Sequence, residues 1–188
     1  MTKPEAIGQR FAGYAAAVAN SPTFPPTSGS REPSTATGEP GIDRLRANLQ
    51  GEIPPPPAWY TLGFRLEAVS RGTVEFAFQP LEAHTNYGGT VHGGVLSALA
   101  DSAMGCAILS DLDGDHWLAT VDMVTNFFVP VRVPGPVVRI NGRVRKRSRT
   151  TAFAEASLHV KNQEVAFATS TYVIRRQRQL SGQPDPGE

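Results

Sequence analysis

The sequence predicts an α+β domain in which one long helix lies on the face of an antiparallel sheet. Two segments of alternating apolar and polar residues come first, at 62–66 and 74–78, and such alternation is typical of half-buried strands. A helical segment follows at 93–109, where apolar residues recur in pairs spaced by four. Beyond it only strand signals occur, at 117–129, 136–147, 150–160 and 164–175. This order of elements favours a sheet with one helix packed against it.

The individual elements follow from local patterns. A brief helix is predicted at 42–49, and a proline run at 54–57 prevents its continuation. The first two strands flank a turn at Arg71-Gly72, and their apolar sets are Leu62, Phe64 and Leu66, then Val74, Phe76 and Phe78. A glycine-rich loop at 86–90 leads into the long helix, which would span about 25 Å. The broad apolar arc of that helix indicates that it is mostly enclosed.

Three parts of the chain are predicted to differ in how well ordered their structure is. Residues 1–44 form an N-terminal extension, with a possible short helix at 4–19 and a Pro/Ser-rich linker at 21–41. Such a linker cannot bury enough apolar surface to offset the entropy lost on ordering, so we expect it to be flexible. The folded domain is predicted over 45–176, and residues 177–188 are expected to form a disordered tail.

Composition limits the class of protein. The chain has 188 residues, 40% hydrophobic and 19% charged, which is enough for one domain with a sizeable core. A formal net charge of +1 argues against a nucleic-acid partner. The N-terminus shows no signal-peptide pattern, and no apolar run reaches the roughly 20 residues of a membrane span. We therefore expect a soluble, cytoplasmic protein without a membrane partner.

The segment from Asn86 to Asp101 carries the strongest functional signal. Gly93 and Gly94 stand at the predicted start of the helix, where backbone N–H groups are unpaired and a ligand could approach closely. An N–H aimed at a developing oxyanion contributes roughly 3–4 kcal/mol in known enzymes. Asp101 follows about two turns later, at the edge of the apolar arc, where a carboxylate costs free energy unless it has a partner. This pattern indicates a catalytic site.

These residues carry a resemblance to a known family. The chain resembles hotdog-fold acyl-CoA thioesterases of the phenylacetate-pathway type in their signature residues, which match Asn86, His92-Gly93-Gly94 and Leu99-Ala100-Asp101 here. The resemblance covers residues 45–176 and includes the Thr120–Met123 segment. It implies a long central helix wrapped by a curved antiparallel sheet. It also implies homodimers with joined sheets, often paired into homotetramers, with active sites between subunits.

The resemblance also implies roles for individual residues. The backbone N–H of Gly93 would polarise the thioester carbonyl, and Asp101 would act as a general base on water or as the attacking carboxylate. Asn86 would orient the water or the thioester. Thr120 matches a position that often carries a hydroxyl near the nucleophile. In the family, the equivalent of Asp101 typically faces Gly93 and Asn86 of the other subunit.

A basic strand is the second candidate site. It contains Arg143, Arg145, Lys146, Arg147 and Arg149, and a regular strand would place its four arginines on one face. Arginine binds phosphate through bidentate hydrogen bonds, so these residues could hold the phosphates of coenzyme A, with His92 and Gly94 contributing to substrate binding. Alternatively, the charges could belong to a solvated strand that protects a sheet edge.

Several candidates also have a structural interpretation. His92 is predicted to be a buried, hydrogen-bonded residue that fixes the loop, in preference to a base. Asn86 could be a turn residue, Thr120 a plain strand former, and Asp101 a structural carboxylate. Cys106 is expected to fill the core.

No metal or cofactor is predicted. The single cysteine excludes an intramolecular disulfide and a cysteine-rich metal site. The other histidines, His84, His116 and His159, show no ligand spacing. The acidic turn at 111–115 lacks the glutamate and glycine of a calcium loop. Coenzyme A would enter only as part of the substrate.

Three functions fit this sequence. Hydrolysis of an acyl-CoA to a free acid and CoA is favoured, and a non-catalytic acyl-CoA sensor on the same fold is the main alternative. A hydratase or dehydratase fits less well, because Asp101 lacks the paired histidine typical of those enzymes. The acyl group stays open, although Tyr87, Phe127 and Phe128 are compatible with aryl or medium-chain acids.

Overall fold

The computed structural model describes residues 40–114 and 116–176. The predicted helix at 4–19, nearly all of the linker and the C-terminal tail lie outside this range. The described elements are, in chain order, α1 (Gly41–Leu49), α2 (Pro57–Leu62), β1 (Phe64–Ser70), β2 (Thr73–Phe78), a 3-10 turn (Glu82–His84), α3 (Gly93–Ser110), β3 (His116–Phe127), β4 (Val138–Arg147), β5 (Thr151–Val160) and β6 (Gln163–Arg176).

All six strands belong to one antiparallel sheet in the order β1-β2-β4-β5-β6-β3. The sheet is curved but not closed, and α3 packs against it. The predicted α+β class and the order of two strands, one helix and four strands are thus confirmed. β3 lies at one end of the sheet, next to β6.

Small side chains bring α3 close to the sheet. Ala100, Ala103 and Ala107 are fully buried on the helix, and β5 contributes the buried Ala154 and Ala156. A Cβ built on Gly142 of β4 would collide with the backbone carbonyl of Ala103 and lie 3.0 Å from its Cβ. The helix and the sheet therefore meet almost backbone to backbone. By length and composition α3 could also cross a membrane, but its apolar composition is accounted for by this burial.

The two short helices close one side of the core. α1 buries Ile42 and Leu45, and a Cβ on Gly41 would collide with the backbone of Leu109 in α3. The ring of Trp59 in α2 meets Phe76 edge-on, with centroids 4.8 Å apart. α1 confirms the predicted brief helix and begins at Gly41, four residues before the predicted start of the domain.

The prediction that Leu62 begins the first strand is wrong. Leu62 ends α2, and Gly63 follows in the left-handed conformation, with φ of 68°, before β1 begins at Phe64. Pro57 occupies the first turn of α2, a position where its missing N–H costs nothing. A proline start and a glycine end therefore make a single helical turn where alternation alone suggests a strand.

Ser110 ties the C-terminal end of α3 to the β1–β2 turn. Its fully buried hydroxyl accepts a hydrogen bond from Gly72 N–H at 2.9 Å and lies 3.0 Å from Ser70 O and 2.7 Å from Ala107 O. The start of β2 is thus anchored to the helix by one side chain.

Candidate active site

Asp101 lies in the middle of α3 and is bonded by two hydroxyl groups from the sheet. Thr120 Oγ1 of β3 donates to Asp101 Oδ1 at 2.8 Å. Tyr172 Oη of β6 lies 2.8 Å from the same Oδ1 and 3.0 Å from the backbone oxygen of Asp101. The carboxylate is half-buried. A carboxylate in the middle of a helix needs hydrogen-bond partners, and here two neutral hydroxyl donors, Thr120 and Tyr172, provide them.

A β-bulge in β3 gives the strand two different faces around this point. Thr120 is paired with Tyr172, but the register with β6 shifts before Asp122, so Val121 is the extra residue. Ser170, which is fully buried, donates to Asp122 O at 2.6 Å and stabilises the bulge. Bulges are common beside active sites because they redirect side chains. Here the bulge leaves Val121 61% exposed while Thr120 points to α3.

Tyr172 is the site residue that the sequence reasoning missed. It is 2% exposed, and a buried tyrosine normally needs a hydrogen-bond partner for its hydroxyl. Burial and the charge of Asp101 raise the pKa of Tyr172 well above its usual range. Its place on the buried face, in alternation with Ser170 and Ile174, is the signal that could have identified it.

Cys106 is not suited to act as a nucleophile. Burial, and then the charge of Asp101, raise the pKa of its thiol to about 12. The reactive form of cysteine is the thiolate, which such a pKa suppresses at neutral pH. Cys106 was predicted to fill the core, and in the structure it is half-buried and packs against the core from outside.

The start of α3 presents one free donor. His92 is the N-cap, and its Nδ1 accepts a hydrogen bond from Gly94 N–H at 2.8 Å. The Gly93 N–H donates to no group in the described part of the chain. Gly94 thus uses its N–H within the cap, whereas that of Gly93 is available to a ligand.

His92 departs from the prediction in one respect. It forms the predicted local hydrogen bond that fixes the loop, but it is exposed in the single chain. As the N-cap it lies just before the first helical turn, outside the apolar arc that faces the sheet. The prediction of a buried histidine is therefore wrong for the isolated chain.

Phe127 covers the backbone of Gly93. A Cβ built on Gly93 would lie 3.1 Å from Phe127 Cζ, closer than side chains normally approach. Phe127 is itself 52% exposed, at the end of β3. The absence of a side chain at Gly93 thus lets an aromatic ring lie against the turn that carries the free N–H.

Asn86 is bonded within its own loop. Its Oδ1 accepts from Gly88 N–H at 2.8 Å and from Thr90 N–H at 3.3 Å, and its Nδ2 donates to Thr90 Oγ1 at 3.1 Å. These bonds are those of an Asx turn, which is the structural interpretation left open by the sequence. Asn86 is exposed, and the described residues show no hydrogen bond between it and Asp101.

His84 fixes this loop to the start of the helix. Its Nδ1 accepts from Leu81 N–H at 3.1 Å, and its backbone oxygen accepts from His92 N–H at 2.8 Å. The ring is 7% exposed and lies against Phe78, with centroids 4.8 Å apart. Burial lowers the pKa of His84 below its usual range.

Protonation of His84 is expected to destabilise the fold. The unfolded chain takes up this proton near pH 6.5, whereas the folded chain takes it up only at a lower pH, so stability falls as pH drops below about 6.5. The slope contributed by one such proton is at most about 1.4 kcal/mol per pH unit. Urea unfolding between pH 5 and 8 should show a shallower acid-side loss for His84→Gln, which retains an acceptor but cannot titrate. Parallel curves for the two proteins would contradict this role.

The two groups of candidate residues lie apart in one chain. Gly93 and Asp101 are eight residues apart on α3, which corresponds to about 12 Å along the helix axis. The structure brings Thr120 to Asp101 and places His92 and Gly94 beside Gly93. It does not bring Asn86 or Gly93 to Asp101 within the chain.

The basic strand does not present its arginines on one face. A register shift between Val144 and Lys146 makes Arg145 a bulge residue. Arg143 and Arg145 both pair with Glu155, at 2.6 and 3.3 Å, whereas Arg147 pairs with Asp111 at the end of α3, at 2.7 Å. The predicted common face is therefore wrong, because the bulge reverses the alternation. Arg149 lies in the exposed turn after β4.

Comparison with known proteins places this geometry in a family. A family model described as the thioesterase superfamily matches residues 88–167. A Pseudomonas aeruginosa protein provisionally named an esterase is 37% identical over 91 residues, which are 48% of this chain and 67% of that protein. The chain belongs to the thioesterase superfamily. The chain is also 34% identical to acyl-coenzyme A thioesterase 13 of Mus musculus over 77 residues, 41% of this chain and 54% of the mouse protein.

Solved structures share the fold of this chain. A phenylacetic acid degradation-related protein of Ralstonia eutropha is 27% identical, with a TM-score of 0.63 over 69% of this chain and 98% of that chain. A Streptococcus mutans protein bound to acetyl CoA is 26% identical, with a TM-score of 0.57 over 62% of this chain and 91% of that chain. The predicted hotdog fold, and the resemblance on which it rests, are thus confirmed.

The family match covers only part of the candidate site. Residues 88–167 contain Gly93, Asp101 and Thr120. Asn86 precedes the matched segment, and Tyr172 follows it. The contact between Tyr172 and Asp101 is therefore an observation from the structure rather than from the family match.

Proposed function

We propose that this thioesterase hydrolyses acyl-CoA thioesters to a free carboxylic acid and CoA. The observation that carries the proposal is the Asp101 carboxylate, half-buried in mid-helix and bonded by Thr120 and Tyr172 through one oxygen only. The likeness to a mouse acyl-coenzyme A thioesterase and to a structure bound to acetyl CoA supports CoA esters as the substrate class.

In the proposed reaction, Asp101 activates the attack and Gly93 stabilises the charge. As a base, Asp101 takes one proton from water while the water oxygen bonds to the acyl carbon. The Gly93 N–H stabilises the oxyanion that develops on the carbonyl oxygen. The C–S bond then breaks, and the CoA thiolate receives the proton held by Asp101. Direct attack by Asp101 would instead break the C–S bond, release the CoA thiolate and leave a mixed anhydride. Water would then hydrolyse the anhydride to the free acid and the Asp101 carboxylate, and the proton lost by water would go to the thiolate.

A second copy of the chain would complete this site. Asp101 and Gly93 are about 12 Å apart along one helix, too far to act on the same carbonyl. β3 ends the sheet, and its exposed apolar side chains include Val121, Val124 and Phe127, between 52% and 61% exposed. Long apolar edge strands favour pairing with another strand. We propose a homodimer, or a dimer of dimers, in which Asp101 of one subunit faces the start of α3 in the other.

The CoA phosphates would require cations that are not already neutralised. Glu155 pairs with both Arg143 and Arg145, and Asp111 pairs with Arg147. Arg149 is exposed and forms no ion pair within the described residues. Of the predicted arginines, Arg149 is therefore the one we expect to contact CoA first.

Release of free thiol from a panel of acyl-CoAs tests the proposed function. Acetyl, medium-chain, long-chain and aryl-acetyl esters should be compared at equal concentration, with each ester without protein as the blank and free CoA as the thiol standard. Turnover of at least one ester above the uncatalysed rate is the expected result and would define the acyl class. Saturable binding of these esters without turnover would contradict hydrolysis and favour a binding module.

A further inference from the structure

Both hydroxyl groups that reach Asp101 bond to the same carboxylate oxygen. Thr120 Oγ1 and Tyr172 Oη each lie 2.8 Å from Oδ1. No group in the described part of the chain bonds to Oδ2. The two oxygens of this carboxylate are therefore chemically different, although the side chain itself is symmetric.

The contact with Tyr172 is held from several directions. Tyr172 is 2% exposed, and it is the register partner of Thr120 on the neighbouring strand, so both donors come from one rung of the sheet. Its hydroxyl also lies 3.0 Å from the backbone oxygen of Asp101, so the tyrosine contacts the backbone of α3 as well as the carboxylate. The ring lies next to Gly105 of α3, where an added Cβ would meet Tyr172 Cε1 at 3.8 Å, an ordinary contact.

Two donors on one oxygen change what the other can do. A hydrogen bond to a charged acceptor stabilises charge on that atom, so Oδ1 is the weaker base and nucleophile of the pair. The same bonds prevent the carboxylate from exchanging its oxygens by rotation. The raised pKa of Tyr172 keeps its hydroxyl protonated, so it acts as a permanent donor and not as a proton source for the leaving group.

We propose that Tyr172 is a positioning residue that, together with Thr120, holds Oδ1 of Asp101 and leaves Oδ2 as the reacting oxygen. The inference rests on the proposed thioester hydrolysis. In the base mechanism, the water proton goes to Oδ2 and passes from there to the CoA thiolate. In direct attack, the new bond to the acyl carbon forms at Oδ2.

Steady-state kinetics of four variants test this role. Tyr172→Phe and Thr120→Val keep the shape of each side chain but remove its hydroxyl. Each should lower kcat roughly 10- to 100-fold, the loss expected for one hydrogen bond to a charged group, with KM unchanged. The double variant should lose more than either. The matched control is Thr125→Val, because Thr125 Oγ1 accepts from Ser97 at 3.3 Å and does not touch Asp101, so its kcat should stay at the wild-type value.

Two further readouts separate positioning from a purely structural role. Tyr172→Phe should unfold cooperatively near the wild-type temperature and bind a non-hydrolysable acyl-CoA thioether with wild-type affinity. Its crystal structure should show the Asp101 carboxylate rotated or in two orientations. Parallel losses of stability, affinity and kcat would overturn the proposal, as would an unchanged Asp101 with wild-type kcat.

Failure of the proposed function would be recognised separately. Wild-type protein that hydrolyses no acyl-CoA would contradict thioester hydrolysis, and the crystallographic comparison would still decide whether Tyr172 orients Asp101. Active wild-type protein with an equally active Tyr172→Phe variant would overturn the role of Tyr172 alone.

Discussion

Asp101→Ala is expected to lower kcat for acyl-CoA hydrolysis by roughly 10²- to 10⁴-fold, the contribution typical of a general base. The reason is that the part of the chain the structure describes offers no second carboxylate on this face of α3, and Cys106 is kept protonated. Thiol release under saturating substrate measures the effect. Asp101→Asn should lose a similar factor, because an amide preserves the hydrogen bonds of Oδ1 but cannot accept the proton.

The control for this experiment is a carboxylate remote from the site. Asp113 lies beyond the end of α3, pairs with Arg71 at 2.9 Å and is exposed, so Asp113→Asn should retain wild-type turnover. The buried Tyr172 hydroxyl would keep an acceptor in the backbone oxygen of residue 101, 3.0 Å away, so replacement of the Asp101 side chain should leave the fold intact. A folded Asp101→Ala variant with undiminished kcat would rule out this residue as base or nucleophile.

Gly142→Ala is expected to lower the stability of this domain substantially. The added Cβ would overlap the carbonyl group of Ala103, at 2.6 Å from its carbon, and neither backbone can move without disturbing the sheet or α3. Overpacking of this kind typically costs about 1–3 kcal/mol, and contact with backbone places this variant at the upper end or beyond. Urea unfolding followed by circular dichroism measures the difference.

Gly105→Ala provides the matched comparison on the same interface. A Cβ there has only an ordinary contact with Tyr172, and alanine favours the helix by roughly 0.5–1 kcal/mol over glycine. We expect this variant to be as stable as the wild type or slightly more so. If Gly142→Ala unfolds at the same urea concentration as Gly105→Ala, the close approach of α3 to β4 is not a constraint.

Sequence periodicity predicted the large elements because each has a long, regular pattern. The predicted helix at 93–109 differs from α3 by one residue, and the four later strands occur within a few residues of their predicted limits. α2 was missed because a single turn is too short to show a period. Its signal was local, in Pro57 and Gly63.

The site could be predicted only where a residue type is itself unusual. Asp101 stands out in an apolar helix, and Gly93 stands out at its start. Tyr172 does not, because aromatic residues are common in strands and only the paired register with Thr120 reveals its contact. The prediction that the arginines share one face was wrong for a related reason. A one-residue bulge at Arg145 moves every later side chain of β4 to the opposite face, and nothing in the composition indicates a bulge.

The close contact between Ala103 of α3 and Gly142 of β4 also determines how far α3 can shift before the reaction is impaired. Asp101, Thr120 and Tyr172 meet at hydrogen-bond distance, and aspartate and threonine are too short to compensate for a shifted helix. Ala103 is two residues from Asp101, so this close backbone contact acts as a spacer next to the reacting group. Substitutions that add volume there should impair turnover even when the protein still folds. The smallest side chains of the molecule thereby become the ones most constrained by function, through their size rather than their reactivity.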